Sequence, residues 1–420
     1  MQDKQAELVE RFYRYVSVSS QSTPNGEVKI PSSDGQWDMA KLLERECAAM
    51  GLVNLSISDK CVLTGKLPAN LPAGCDRKVP SVGFVTHLDT VNVCLSPKIH
   101  PQIVQNYDGN DIVLNKGQHI VMTTKEHPEL LKYMGQDIIV TDGTSVLGAD
   151  NKAAIANVMT ALSTLYSNPF IYHGDIYVAF VPDEECGLYG SKSMDFSKFP
   201  VDFAYTIDCC ELGEVVYETF NAGNAVVTIH GVSAHPMSAK GVLVNPTLLA
   251  VDFINMFDRK ETPECTEGKE GYIWCQAVHS NQSTANVELN IRDHCKEKYE
   301  TRKKFILENV NNLQTANPRA KIECDISDTY GNIADAVTDK NHIAIDYIYT
   351  AMEKLGIMPR TIAMRGGTDG SFISTKGILT PNYFTGAHNF HSKFEFLPVP
   401  SLEKSYQMTM TLIDLIYKGQ

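Results

Sequence analysis

Residues 180–187, FVPDEECG, set the carboxylates Asp183, Glu184 and Glu185 side by side, directly after the apolar run IYVAFV. Neighbouring like charges repel, and burying them without partners is costly, so a bound cation or a part in proton transfer is the natural compensation. A plain solvated turn is the competing explanation. Residues of matching chemistry recur at His87 and Asp89 in THLDT, Asp150 in LGADNK, Asp208 in TIDCC and His391 in HNFHSKFEF. Each closes a strand-like run or opens a helix. Two imidazoles with several carboxylates suit Zn2+, with Co2+ or Mn2+ as alternatives. An open catalytic site uses about three protein ligands for one ion. His87, Asp150, Glu185, Asp208 and His391 therefore exceed one site and fit two ions that share a bridging carboxylate. Each signal is weak alone, and His119, His127 and His342, which fall outside the pattern, read as structural histidines. No P-loop, G-x-G-x-x-G, G-x-S-x-G or H-E-x-x-H competes. Cys209 and Cys210 adjoin Asp208, but neighbours in a strand point to opposite faces, so Cys209 faces away and both read as packing.

Strands and helices must bring these residues together. VPSVGFVTHLD (79–89), GDIYVAFVPDE (174–184) and VDFAYTIDCC (201–210) are rich in Val, Ile, Phe and Tyr without clean alternation, which suits strands buried on both faces. Between the first two, Ile155, Val158, Met159, Leu162 and Leu165 recur at helical spacing. Strand and helix alternate, which predicts an α/β domain with a mostly parallel, mixed sheet and helices on both faces. In such a sheet the carboxyl ends of the strands meet at one edge, where ligands bind. The pattern changes after Asp208, where alternating strands and two helices predict a smaller α+β domain of β-α-β-β type spanning 218–327. From KNHIAIDYIYTAMEKLG onward helix and strand alternate again, so this domain is inserted into one formed by 1–217 and 328–420.

A chain of 420 residues is long enough for two cores. Its net charge of -13 argues against a nucleic-acid partner. MQDKQAELVERFYRYV has no apolar core of a signal peptide, and no run approaches the about 20 apolar residues that span a bilayer. A cytoplasmic protein with no membrane partner is expected, its 11 scattered cysteines free.

Through THLDTV, LGADNKAAIA, PDEECGLYGS, TIDCCELGE, VSAHPMSAKGVLVNP, RGGTDGS and NFHSKFEF, the sequence resembles the M20 metallopeptidase family over nearly its whole length. ADN departs from the second Asp of many members, a change expected to leave the bridging carboxylate intact. The resemblance implies two Zn2+ per subunit, one held by His87 and Asp208, the other by Glu185 and His391, with Asp150 bridging. It implies that Asp89 orients His87 and that Glu184 is the general base. A base committed to a metal loses its lone pairs, so ligand and proton acceptor must be separate groups.

The resemblance further implies an inserted lid, a tendency to form homodimers through it, and a cytosolic hydrolase that removes the N-terminal residue from tripeptides. His235 in SAHP would stabilise the oxyanion, and Arg292 and Arg365 would pair with the peptide's C-terminal carboxylate. Gly366 and Gly367 would admit backbone close to the ligand, and Asn245 is a further contact. A surface histidine and ordinary salt bridges are the plain alternatives for these positions. Two other functions stand beside the aminopeptidase: an amidohydrolase or carboxypeptidase acting on N-acyl amino acids or dipeptides, and a catalytically silent metal or peptide binder. Glu184 beside Glu185 speaks against the silent binder.

Overall fold

The computed structural model describes residues 2–23 and 29–420. The chain forms two compact units. The larger comprises Met1–Tyr217, Val337–Ile362 and Thr368–Gln420.

Its main sheet has eight strands, in the order Val53–Ile57, Leu63–Leu67, Ile176–Val181, Val82–His87, Phe203–Cys209, Asn382–Phe384, Glu214–Glu218 and Arg360–Ala363. The central four run parallel. Antiparallel pairs flank them on both sides, so the sheet is mixed. Val82–His87 is buried along its full length, which explains why its sequence is apolar without alternation. The long helix Ala149–Ser167 rests on this strand and on Phe203–Cys209, and also touches the helices Gln2–Val16 and Val399–Lys418. Contacts on so many sides explain why Ala149 through Leu162 are all buried, with no polar face. Val85, Ala179, Val181 and Ala204 pack with Met194, Phe199 and Ile373.

Sequence reasoning assigned no structure to the stretch between Asp89 and Asp150. It holds short strands, two of which, Pro101–Val104 and Ile138–Thr141, join Phe396–Pro398 in a three-stranded sheet. A satellite core of Tyr107, Leu130, Tyr133, Ile138, Val140 and Phe396 supports that sheet. Strands of three or four residues are too short to display a period, yet these brace the loop that carries His391.

The smaller unit comprises Glu218–Ala336 and Ala363–Gly367. Its four-stranded antiparallel sheet has the order Tyr272–Ser280, Thr284–Asp293, Asn221–His230 and Lys321–Tyr330. The helices Pro246–Ile254 and Lys296–Ala316 complete a β-α-β-β-α-β sequence. Ala225, Val227, Ile229, Val287, Leu289 and Ile291 point into one core, while Asn224 and Val226 are exposed, the alternation of a sheet covered on one face. The boundary expected at 327/328 is corrected here. It would cut the strand Lys321–Tyr330, whose Tyr330 pairs with Ala222. The unit continues to Ala336 and takes back 363–367, where Met364 N–H donates to Glu218 O and Gly366 O accepts from Phe220 N–H. Among the described residues, no helix is long and apolar enough to cross a membrane.

Candidate metal centre

All seven residues expected at a metal centre lie in the larger unit. His87 ends the strand Val82–His87, Glu184 and Glu185 follow Ile176–Val181, and Asp208 lies near the end of Phe203–Cys209. These strands are parallel neighbours, so their ends share one edge. Asp150 arrives from a turn. Gly148 has a φ of +74°, a left-handed conformation that favours glycine. His391 sits on a loop closed at its neck by paired bonds between His388 and Phe396.

Asp150 joins the two imidazoles. Its Oδ1 lies 2.8 Å from His87 Nε2 and its Oδ2 lies 3.0 Å from His391 Nε2. His391 Nε2 is also 3.0 Å from Glu185 Oε1, and His87 Nε2 is 3.8 Å from Asp208 Oδ1. Ligand atoms of His87, Asp150 and Glu185 all lie within 4.8 Å of one another. Glu185 Oε1 is buried and makes no hydrogen bond despite its approach to His391. A ligand-capable oxygen without a hydrogen bond, among imidazoles and acids, fits a divalent cation. His391 keeps 46% of its side chain exposed, so the centre is open on that side.

Asp89 is fully buried. Its carboxylate accepts the backbone N–H groups of Glu184 at 3.1 Å and Glu185 at 3.2 Å, and lies 3.3 Å from His87 Nδ1. It thus holds both an imidazole and the acidic turn. Asp183 departs from the expectation that the acids crowd around a cation. It turns toward Ser32 and Gln36, accepting from Ser32 N–H at 2.7 Å, Ser32 Oγ at 2.6 Å and Gln36 Nε2 at 2.7 Å. Hydrogen bonds, not a metal, compensate that charge.

Electrostatics reflect the crowding of the remaining acids. Burial, followed by the charge of Asp150, pushes Glu185 up to about 8 and Asp208 up to about 6. Burial also carries Glu184 well above the usual carboxylate range. His391 is raised to about 11: burial opposes the shift, and its contacts with Asp150 and Glu185 outweigh burial. Asp150 is held low by both imidazoles, against its burial. Asn151, where the sequence departs from the family pattern, donates to Ile207 O at 2.7 Å and to Asp208 Oδ1 at 3.2 Å. Burial pushes the thiols of Cys209 and Cys210 up, as befits packing residues.

Sequence reasoning missed three residues that its own motifs contain. Glu395, in HNFHSKFEF, is buried and accepts N–H groups from Leu147, Gly148 and Asp150. Burial, then Asp150, moves it up to about 8. Asp369, in RGGTDGS, is buried with Oδ1 lacking a hydrogen bond, and burial pushes it up to about 7. Lys152, in LGADNK, is fully buried, donates to Ser20 Oγ at 2.6 Å, and falls to about 7 through burial. Acids and a lysine inside motifs already rich in ligand-type residues were the available signal.

The expected substrate contacts lie in the smaller unit. His235 is exposed, and its Nδ1 caps the turn at Met237 N–H. Asn245 caps the helix Pro246–Ile254 through Thr247 N–H at 3.0 Å. Ser233, Pro236, Asn245, Asn281 and Gln282 line a cavity of about 430 Å3. The arginines are more committed. Arg292 Nη1 donates to Gly223 O and Ile291 O, and its guanidinium lies over Tyr330. Arg365 donates to Gly268 O, Glu270 O and Thr266 Oγ1 and lies over Phe220 and Tyr272, so it serves its own unit. Gly367 faces the Tyr330 ring, where a Cβ would meet Cε2 at 2.4 Å; close packing accounts for that glycine. A Cβ on Gly366 would meet only Met364 Cγ, at 3.9 Å.

Residues 148–415 match the model of Peptidase family M20/M25/M40. A Peptidase T-like protein of Yersinia pestis is 51% identical over 406 residues, 97% of each chain. Peptidase T of Fusobacterium nucleatum is 42% identical over 412 residues, 98% of each chain. The crystal structure of the aminopeptidase PepT from Bacillus cereus superposes with a TM-score of 0.74 at 21% identity, covering 98% of both chains, a likeness of fold.

Proposed function

The chain belongs to peptidase family M20/M25/M40, and from that membership we propose that it is a di-zinc aminopeptidase that releases the N-terminal residue from tripeptides. The supporting observation is Asp150 placed between two imidazoles, 2.8 Å from His87 and 3.0 Å from His391, beside the Glu185 oxygen that lacks a hydrogen bond. The tripeptide substrate rests on relatives named Peptidase T that match the chain almost end to end.

In this reading His87 and Asp208 would hold one ion, Glu185 and His391 the other, and Asp150 would serve both. The ions, when bound, would acidify water toward a pKa of about 7 and polarise the scissile carbonyl. His87 Nδ1 pairs with the Asp89 backbone carbonyl at 3.1 Å, with the Asp89 carboxylate 3.3 Å away, which leaves Nε2 as the coordinating nitrogen. Glu184, anchored by its backbone N–H to Asp89, is the acid that this reading leaves uncommitted to a metal. It takes the proton of the attacking water and delivers it to the leaving amine. Burial raises its affinity for the proton it must hold between those transfers.

Trialanine with a free N-terminus and N-acetyl-trialanine separate this function from its competitors when assayed on chelator-stripped protein with and without added Zn2+. Turnover is expected only of the free peptide and only with metal. Full activity of the stripped protein, or a preference for the acetylated peptide, would overturn the proposal.

A further inference from the structure

Glu395 lies four residues beyond His391 and is 1% exposed. Its carboxylate gathers three backbone donors from one turn: Leu147 and Gly148 N–H on Oε2 at 2.7 and 2.8 Å, and Asp150 N–H on Oε1 at 3.2 Å. That turn needs an external partner. Gly148 is left-handed and Asp150 and Asn151 have non-helical dihedrals, so the helical ladder does not hold them. Opposite the turn, Glu395 itself is fixed. Its N–H donates to Ser392 O, His388 and Phe396 exchange bonds at 2.9 and 3.2 Å, and Phe396–Pro398 pairs with Ile138–Thr141.

One carboxylate therefore ties the loop of His391 to the turn of Asp150, segments 245 residues apart in the sequence. We propose that Glu395 is a positioning residue: by clamping these segments it sets the separation of Asp150 and His391, and so the grip of the site on the ion shared by Asp150, Glu185 and His391. This rests on the metal-site reading above. A carboxylate is required because all three partners are donors. An amide that keeps its oxygen on Leu147 and Gly148 turns its own N–H2 toward Asp150 N–H, opposing donor to donor at nearly constant volume.

The test is Glu395→Gln, read by metal content after dialysis and by competition for Zn2+ with a chromogenic chelator. The variant is expected to keep one ion per chain and to bind the second about 10- to 100-fold more weakly. Its kcat should recover in excess Zn2+ with KM unchanged. Leu412→Ala, a cavity in the helix Val399–Lys418, is the control for general destabilisation: it should lower Tm without weakening Zn2+ binding. Should E395Q fail to fold, Glu395→Asp keeps the charge, shortens the reach and should show the same selective loss. Two ions bound by either folded variant with unaltered affinity would overturn the clamp. Equal loss of affinity in L412A would do the same. If the unmutated protein takes up no Zn2+, the metal-site reading fails instead, so the two failures are distinguishable.

Discussion

His391 Nε2 lies 3.0 Å from Asp150 Oδ2 although 241 residues separate them in the sequence. Because Asp150 gives its other oxygen to His87 at 2.8 Å, a single carboxylate joins imidazoles from two distant segments. Glu184 precedes Glu185 in the same turn, its N–H held by Asp89, and the proposed mechanism assigns it no metal. Removing its carboxylate should therefore separate binding from chemistry. Glu184→Gln is expected to retain two Zn2+ per chain while kcat falls by about 10²- to 10⁴-fold, the usual worth of a general base. Metal analysis alongside tripeptide kinetics checks this; a variant with undiminished kcat would free Glu184 of the role.

Asp89 acts at one remove. Its backbone carbonyl pairs with His87 Nδ1, while its carboxylate lies 3.3 Å from that nitrogen and accepts the Glu184 and Glu185 amides, so a change of side chain acts chiefly on the acidic turn. Asp89→Asn can keep one acceptor but must set an N–H2 group against a backbone N–H or the imidazole. We expect Zn2+ affinity to fall by about 10- to 100-fold. Chelator competition measures this, and wild-type affinity in the variant would show that the turn and ring hold themselves.

These residues differ in how far they could be read from the sequence, for physical reasons. His87, Asp150, Glu185 and Asp208 are of ligating type and lie at or just beyond ends of strand or helix, which the order of a parallel sheet makes converge, whereas His391 lies on a loop and only its residue type marked it. Asp183 looked equivalent to its neighbours, yet its partners Ser32 and Gln36 lie 151 and 147 residues away, and nothing local marks that contact. Glu395 was hidden for the same reason: its role consists of bonds to backbone N–H groups, which carry no side-chain signature. The strands between Asp89 and Asp150 are too short for a hydrophobic period to emerge. By contrast, the alternation in Asn221–His230 and the uninterrupted burial of Val82–His87 follow from sheets covered on one face and on two.

Asn151 offers a test of the departure from the family pattern. Its amide donates to both Ile207 O and Asp208 Oδ1, and a carboxylate would meet two acceptors instead. Asn151→Asp should lower the stability of the metal-stripped protein by about 1 to 3 kcal/mol, the cost of leaving a buried polar group unsatisfied. Denaturant titration of both stripped proteins checks it, with equal midpoints and slopes counting against the argument.

The last prediction concerns pH. His388 is 2% exposed, lies 2.6 Å from the Tyr133 hydroxyl and stacks on Phe396 with ring centres 4.6 Å apart. Burial pushes its pKa down to about 4; Glu211, whose Oε1 is 3.7 Å from Nδ1, and Glu129 oppose the shift, while Lys132 and Arg360 add to it. The unfolded chain, with an ordinary histidine near 6.5, then binds more protons than the folded one between about 4 and 6.5. Stability contributed by neutral His388 is therefore complete above pH 6.5 and is lost as pH falls toward 4, at up to about 1.4 kcal/mol per pH unit. His388→Gln removes the titration while keeping a polar group near Tyr133. It should be less stable at pH 7.5, yet lose less stability than wild type between pH 7.5 and 5. Parallel losses in the two proteins, followed by thermal or denaturant unfolding, would show that other groups govern the acid limb.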